Sequence, residues 1–267
     1  MGEETTTSPV FTDVLGTPVE MRVQGNGRTI LFLHSELGFL ASRPVLDGLA
    51  GLGRVVAPSH PGFCRTPALA GASTVDDLAY FYLDLIEALN LKDVVVVGAS
   101  FGAWLAAEIA TKSTERLAAL VLAGPVGIKV SGREERDIAD LYALGKDELD
   151  TALFADPARS PKLDALSQEE IEDYCRNREA VTLFAWSPYM HNPKLRARLH
   201  RIHTPTLVLG GGRDAFTTPA YHDAYAREIP AARRAIIAGS GHFPHIETPT
   251  EFVGEISAFL GTIHARG

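Results

Sequence analysis

The stretch VVVVGASFGAWLAAEIA occupies residues 94–110. Its opening is an unbroken β-branched apolar run, the mark of a strand buried on both faces. Its second half is composed of good helix formers. Between the two lies Gly98-Ala99-Ser100-Phe101-Gly102. A strand that becomes a helix within one or two residues forces the apex residue into a strained turn. The two backbones then nearly touch, so small residues are needed two positions to either side. The apex hydroxyl projects clear of the chain, beside N–H groups at a helix start, where partial positive charge favours an anion. A serine that merely caps a helix between packing glycines would spell the same five letters. The strand before and the helix after favour a serine presented for attack.

Outward from this turn, apolar runs alternate with helical periods. Residues 10–24 read as a hairpin broken at Gly16-Thr17-Pro18. ILFLH (30–34) and RVVAP (54–58) are further buried strands. From Ser73 the period changes: Val75, Leu78, Ala79, Tyr82, Leu85, Ile86 and Leu89 fall at helical spacing, with Thr74 and Asp77 as a capping pair. Then follow LAALVLAG (117–124), TLVLG (206–210), a helix near 218–228, AIIAG (235–239) and a final helix near 249–260. Strands alternating with helices imply βαβ crossovers and a mostly parallel sheet covered on both sides. Residues 128–203 contain no convincing strand and several helical segments, one opened by the capping-box pattern Ser167-Gln168-Glu169-Glu170. An all-helical insert of this kind suggests a lid over one end of the sheet.

Serine needs a base within hydrogen-bond reach, and the base needs an orienting acid. His242 follows the last apolar strand in Gly239-Ser240-Gly241-His242-Phe243, and Asp214 follows TLVLGGGR. Both therefore lie at the C-terminal ends of strands, the rim that also carries Ser100 and where open α/β sheets place their sites. Asp223 is an alternative acid, but it falls inside a helical stretch and would face away. His34, which ends a strand, reads as a structural hydrogen-bonding residue; His60, His191 and His245 have no acid spaced to orient them. Gly210-Gly211-Gly212 lacks the spacing of a phosphate loop and reads as loop flexibility.

The chain order Ser100, Asp214, His242, with ILFLHSELGF, VVAPSHPGF, VVVVGASFGAW, TPTLVLGGGRDAFTTP and GSGHFPHIETPTEF, resembles the α/β-hydrolase superfamily from about residue 10 onward. The resemblance implies an α/β class fold: a mostly parallel eight-stranded sheet with helices on both faces, its core in residues 1–127 and 204–267. Residues 128–203 would be an inserted helical cap between strands six and seven. It also implies Ser100 as nucleophile, His242 as general base and acid, and Asp214 as its orienter. An oxyanion hole would come from the backbone N–H groups of Phe101 and Glu36. His34-Ser35-Glu36 departs from the common His-Gly pair, and a carboxylate beside a developing oxyanion opposes it unless it points away. Trp186, Tyr189, Met190 and His191 in the insert, with Phe39, Trp104 and Phe243 near the core loops, form a candidate lining for an apolar pocket. Tyr189 and His191 are its first polar candidates for substrate contact.

The expected reaction is hydrolysis of a small to medium, mainly apolar carboxylic ester or similar acyl compound through an acyl-enzyme. Carbon–carbon hydrolysis of a vinylogous diketone, the activity of meta-cleavage-product hydrolases, is the alternative. Those enzymes usually carry Asn before the serine and Trp after the histidine, where this chain has Ala99 and Phe243. A slow-turnover ligand sensor on the same fold is the third reading. No organic cofactor or metal is implied.

Composition limits the partners. The chain has 267 residues, 46% hydrophobic and 22% charged, a balance that excludes a disordered chain. Its net charge of −8, without a long Lys/Arg cluster, offers no footprint for nucleic acid or an anionic membrane. A small-molecule substrate is expected, and a homodimer is left open. Cys64 and Cys175 are too few for a disulfide framework, so a reducing cytoplasm is the default expectation. No apolar run spans a bilayer, and the first residues lack the layout of a secretory signal. Met1-Gly2…Thr6 matches a myristoylation pattern, but Glu3 and Glu4 with no polybasic support argue against it.

Overall fold

Side-chain alternation along the strands decides where the core lies. A computed structural model describes residues 9–132, 134–230 and 232–264. In chain order the elements begin with β1 (Val10–Val14), β2 (Thr17–Gln24), β3 (Thr29–Leu33), α1 (Arg43–Ala50), β4 (Arg54–Pro58), α2 (Val75–Ala88), β5 (Val94–Ala99), α3 (Phe101–Lys112) and β6 (Leu117–Ala123). They continue with α4 (Lys146–Leu153), α5 (Gln168–Ala185), β7 (Thr206–Gly211), α6 (Pro219–Glu228), β8 (Ala232–Ile237), α7 (Pro244–Glu247) and α8 (Pro249–His264). One eight-stranded sheet runs in the order β1-β2-β4-β3-β5-β6-β7-β8. The β1–β2 and β2–β4 pairs are antiparallel, and the five pairs from β4–β3 to β7–β8 are parallel.

The buried runs divide with period two between two layers. Leu31, Leu33, Val94, Val96, Leu120, Leu122 and Val208 face a core shared with α2, α3 and α6. Ile30, Phe32, Val95, Val97, Val121 and Leu209 face a second core closed by Val45, Leu46 and Leu49 of α1 and Phe252, Ile256 and Phe259 of α8. Helices on both faces of a mostly parallel sheet are the architecture the resemblance implies. The Thr74–Asp77 and Ser167–Glu170 capping boxes both form, so α2 and α5 start where the sequence reading places them.

Two elements differ from that reading. Helix α1 was not foreseen; it is one short amphipathic turn pair with Pro44 in its first turn, between glycine-rich segments. Strand β8 starts at Ala232 rather than Ala235 and includes Arg233 and Arg234. It pairs only with β7, and an edge strand can carry arginines that a central strand would have to bury.

Between β6 and β7 lie α4, α5 and three short 3-10 turns, and no strand longer than an isolated bridge among the described residues. The last of these turns, Arg196–Arg201, rests on the core: Arg201 Nε donates to the Thr111 carbonyl at the end of α3, at 3.0 Å. Both cysteines are free, Cys64 buried and Cys175 exposed. No helix among the described residues is long and apolar enough to cross a membrane. The Met1-Gly2…Thr6 pattern lies outside the described residues.

Candidate active site

The parallel order sets the site. Ser100 follows β5, Asp214 follows β7 and the loop carrying His242 follows β8, so all three reach the C-terminal rim of the sheet. Ser100 has φ 49° and ψ −111°, a left-handed φ that is costly for a residue with a Cβ. The glycines on either side explain how the strain is accommodated. A Cβ on Gly98 would collide with the Gly102 carbonyl of α3, and one on Gly102 would collide with the Leu33 and His34 carbonyls after β3. Helix and strand can therefore close to a distance that no larger residue permits. Ser100 N–H is held by the Ala123 carbonyl at 2.8 Å, which ties the apex to β6.

Ser100 Oγ lies 2.8 Å from His242 Nε2, and His242 Nδ1–H donates to Asp214 Oδ2 at 2.9 Å. All three residues are buried. Asp214 accepts three further bonds: Phe216 N–H at 2.9 Å, Thr217 N–H at 2.8 Å and the Thr217 hydroxyl at 2.9 Å. Behind Thr217, its Oγ1 lies 2.9 Å from His222 Nε2. A proton on that nitrogen completes a one-way chain, His222 to Thr217 to Asp214, met from the other side by His242. The remaining His222 nitrogen has no partner, which agrees with this tautomer. Thr217 was legible in principle as a hydroxyl three residues after a loop aspartate; His222 leaves no local signal.

Burial disfavours charge on the His242 imidazole, but the Asp214 carboxylate, with Glu36 and Glu247, outweighs it and raises its pKa above the ordinary 6.5. Burial likewise pushes Asp214 up, and its contacts with His242, His222 and Thr217 outweigh that to leave its pKa lowered. The site thus favours a carboxylate beside a basic imidazole.

The His242 loop is clamped from the inserted segment. His242 N–H donates to the Leu153 carbonyl at 2.7 Å. Glu247 accepts Gly241 N–H at 2.6 Å on one oxygen and Ala155 N–H at 2.8 Å on the other. Glu247 escaped the sequence reading because its partners are backbone N–H groups, Ala155 of the insert and Gly241 of the loop, which no side-chain pattern marks. The glycines at the end of β7 are corrected: Gly210 and Gly211 belong to the strand, and a Cβ on Gly211 would strike the Gly241 carbonyl, so close approach rather than loop flexibility explains them.

Phe101 is the first residue of α3, where backbone donors have no partner within the helix. Glu36 lies in the turn closed by Gly38 N–H to the Ser35 carbonyl at 3.0 Å. His34, expected as a hydrogen-bonding residue, and His60, expected without an orienting acid, bond to each other and to the backbone. His34 Nδ1–H donates to the Ser35 carbonyl at 2.7 Å, and its Nε2 accepts His60 N–H at 3.0 Å. His60 Nε2–H returns to the His34 carbonyl at 3.0 Å, leaving Nδ1 to accept from Tyr82 at 2.6 Å. Asp223 pairs with Arg234 instead of His242.

The expected pocket residues scatter. Phe243 is fully buried beside His242, ring centroids 5.0 Å apart. Phe39 packs on His34 and under the Arg22 guanidinium, and lines a different cavity with Asp173 and Asn177. Trp104 is buried against Phe101 and donates to Glu108 at 3.3 Å. Met190 is fully buried, and Trp186 is 55% exposed. The Tyr189 hydroxyl is committed to backbone, donating to the Ala139 carbonyl at 2.7 Å and accepting Leu141 N–H at 2.8 Å. His191 lies at the outer cavity that Trp186 and Tyr189 also line. A cavity of about 270 Å³ is walled by Glu36, Leu141, Leu153, Phe154 and Val181, and it adjoins the His242 loop through the Leu153 carbonyl, which accepts His242 N–H, and through Phe154, 5.4 Å from the Phe243 ring. Of the expected lining residues and oxyanion donors, Glu36 alone borders it. No cluster that could hold a metal occurs among the described residues.

Comparison with known proteins agrees with this architecture. The dihydrolipoyllysine-residue acetyltransferase component of the acetoin cleaving system from Cupriavidus necator is 28% identical over 276 residues, covering 94% of this chain and 68% of that protein. A thermophilic esterase from Thermogutta terrifontis superposes with a TM-score of 0.76 at 23% identity, over 96% of this chain and 99% of its own. A meta-cleavage product hydrolase from Pseudomonas fluorescens IP01 gives 0.76 at 17% identity, over 96% and 97%. At such identities the two structures share the fold. A model of the Alpha/beta hydrolase family matches residues 30–255, most of the sheet and the whole serine–histidine–aspartate constellation, and the chain belongs to that family.

Proposed function

We propose that the protein is a serine hydrolase of small to medium, mainly apolar carboxylic esters, working through Ser100, His242 and Asp214. The observation that carries this reading is the continuous chain from Ser100 Oγ to His242 Nε2, 2.8 Å, and from His242 Nδ1 to Asp214 Oδ2, 2.9 Å. Ser100 Oγ attacks the carbonyl carbon while its proton passes to His242. Asp214 holds the imidazole in the tautomer that can accept it and stabilises the imidazolium. The N–H groups of Phe101 and Glu36 receive the oxyanion, each worth about 2.7–4 kcal/mol in comparable sites. His242 then protonates the departing alcohol, and a water deprotonated by the same imidazole releases the acid. Residues 128–203 act as the cap, and the Leu153–Ala155 contacts with the His242 loop support that role.

The same residues could serve carbon–carbon hydrolysis of a vinylogous diketone. Ester cleavage is favoured because the side chains of Ala99 and Phe243, both fully buried, bring no polar atom to a dienone. Many cycles on p-nitrophenyl butyrate, with no diketone cleavage, are expected. A single burst of nitrophenol without further product would identify a slow-turnover sensor, and diketone cleavage alone would identify the carbon–carbon hydrolase.

The His242 shift sets a second expectation. The base must be neutral, and its pKa is raised, so kcat/KM falls with decreasing pH along a limb centred above 6.5. A stopped pH–rate series checks this, and a limb centred below that value contradicts it.

A further inference from the structure

Glu36 carries a buried carboxylate that nothing in the described protein satisfies. The residue is 6% exposed, and neither Oε1 nor Oε2 has a hydrogen-bond partner. Burying a carboxylate without a partner is costly, and a ligand that pairs with it removes that cost. Glu36 lines the 270 Å³ cavity that adjoins the His242 loop, together with six leucines, Phe154 and Val181 and with the polar residues Tyr142, Lys146, Asp150, Ser160, Tyr174 and Arg178. Two cations also line this cavity, and both are held by other residues of its wall rather than by Glu36. Lys146 pairs with Asp150 at 2.5 Å. Arg178 donates to the Leu141 carbonyl at 3.2 Å and stacks 4.4 Å over the Tyr142 ring. Glu36 is also among the groups whose negative charge raises the His242 pKa, so its charge is felt at the reacting base.

We propose that the Glu36 carboxylate is the recognition site for a protonated amine or quaternary ammonium on the substrate, placed within a few bonds of the scissile carbonyl. The inference rests on the hydrolase reading above. Under that reading the Glu36 backbone N–H holds the oxyanion, and its short side chain confines the cation to the neighbourhood of the same carbonyl. The cationic group replaces the water that the carboxylate lost on folding. An uncharged ester of the same shape leaves the carboxylate bare. The preferred substrates are therefore amino-acyl esters or esters of amino alcohols, with the rest of the molecule apolar.

Two isosteric pairs at about pH 7 test this. Methyl 3-aminopropanoate against methyl butanoate places the cation on the acyl side; acetylcholine against 3,3-dimethylbutyl acetate places it on the alcohol side. In one pair the cationic ester should have kcat/KM at least about tenfold above its neutral isostere, the scale of a charged hydrogen bond. Glu36→Gln should bring that ratio to one or below, and the pair that responds identifies the side. Preference for the neutral ester in both pairs, or a ratio unmoved by Glu36→Gln, overturns the proposal while leaving Ser100-dependent hydrolysis standing. Calorimetric binding of methyl 3-aminopropanoate and acetylcholine to Ser100→Ala, with and without Glu36→Gln, separates recognition from turnover. Glu36-dependent binding without any wild-type hydrolysis retains the cation site and removes the hydrolytic reading. No binding of either cation removes the cation site.

Discussion

Ser100→Ala should lower kcat for p-nitrophenyl butyrate by about a millionfold, and His242→Ala by a similar factor, because in comparable triads the members act as one unit. Asp214→Asn should cost about ten-thousandfold. The order has a structural cause. Without Ser100 no bond forms to the substrate, and without His242 its proton has no acceptor at 2.8 Å. An amide at position 214 retains the shape but not the charge. Asp214 now accepts from His242, the Thr217 hydroxyl and two backbone N–H groups. An amide can rotate an NH2 towards His242 Nδ1 and favour the tautomer that cannot take the serine proton. Steady-state rates corrected for any wild-type contamination check the series. Ser100→Ala with rates within tenfold of wild type would mean that another group performs the chemistry.

Acid should unfold the protein steeply. Burial lowers His34 and His222 to about 4 and His245 to about 3, and holds His60 well below 6.5. In the unfolded chain each returns to about 6.5. Between those values the unfolded state binds more protons, so stability rises with pH and is lost as pH falls from 6.5 towards 4. Each group contributes at most about 1.4 kcal/mol per pH unit and His242, whose pKa is raised, opposes them, so the net over two units is on the order of several kcal/mol. That is comparable to the whole stability of an ordinary domain, roughly 5–15 kcal/mol. The contacts agree with neutral rings. A second proton on His34 would turn its Nε2 from acceptor into donor against His60 N–H, and His245 has no partner on either ring nitrogen. Urea midpoints should fall sharply from pH 7 to pH 5, and His245→Leu should make the fall shallower by roughly a quarter of the slope. A midpoint constant over that range would contradict the assignment.

The sheet and the candidate triad were legible because each depends on local rules. Buried strands show as apolar runs, capping boxes as residues three apart, and the strained serine as glycines two positions to either side. What sequence missed depends on contacts set by the folded loops rather than by any repeat along the chain. Arg233 and Arg234 conceal the start of β8, which only its place at the sheet edge permits. Glu247 and His222 act through Ala155, Gly241 and Thr217, contacts that no periodicity announces. Tyr189 looked like a polar group free for substrate, but its hydroxyl is held by Ala139 and Leu141. The carboxylate of Glu36, first read as a liability to the oxyanion, is buried without a hydrogen-bond partner in a residue that lines the cavity.

The central claim is that Ser100 is the reactive nucleophile, and covalent labelling with a fluorophosphonate tests it most directly. Intact mass should rise by one phosphonyl group, peptide mapping should place that group on Ser100, and His242→Ala should slow the addition by orders of magnitude. Ester hydrolysis that persists while Ser100 stays unmodified, or a label carried by another residue, would contradict it.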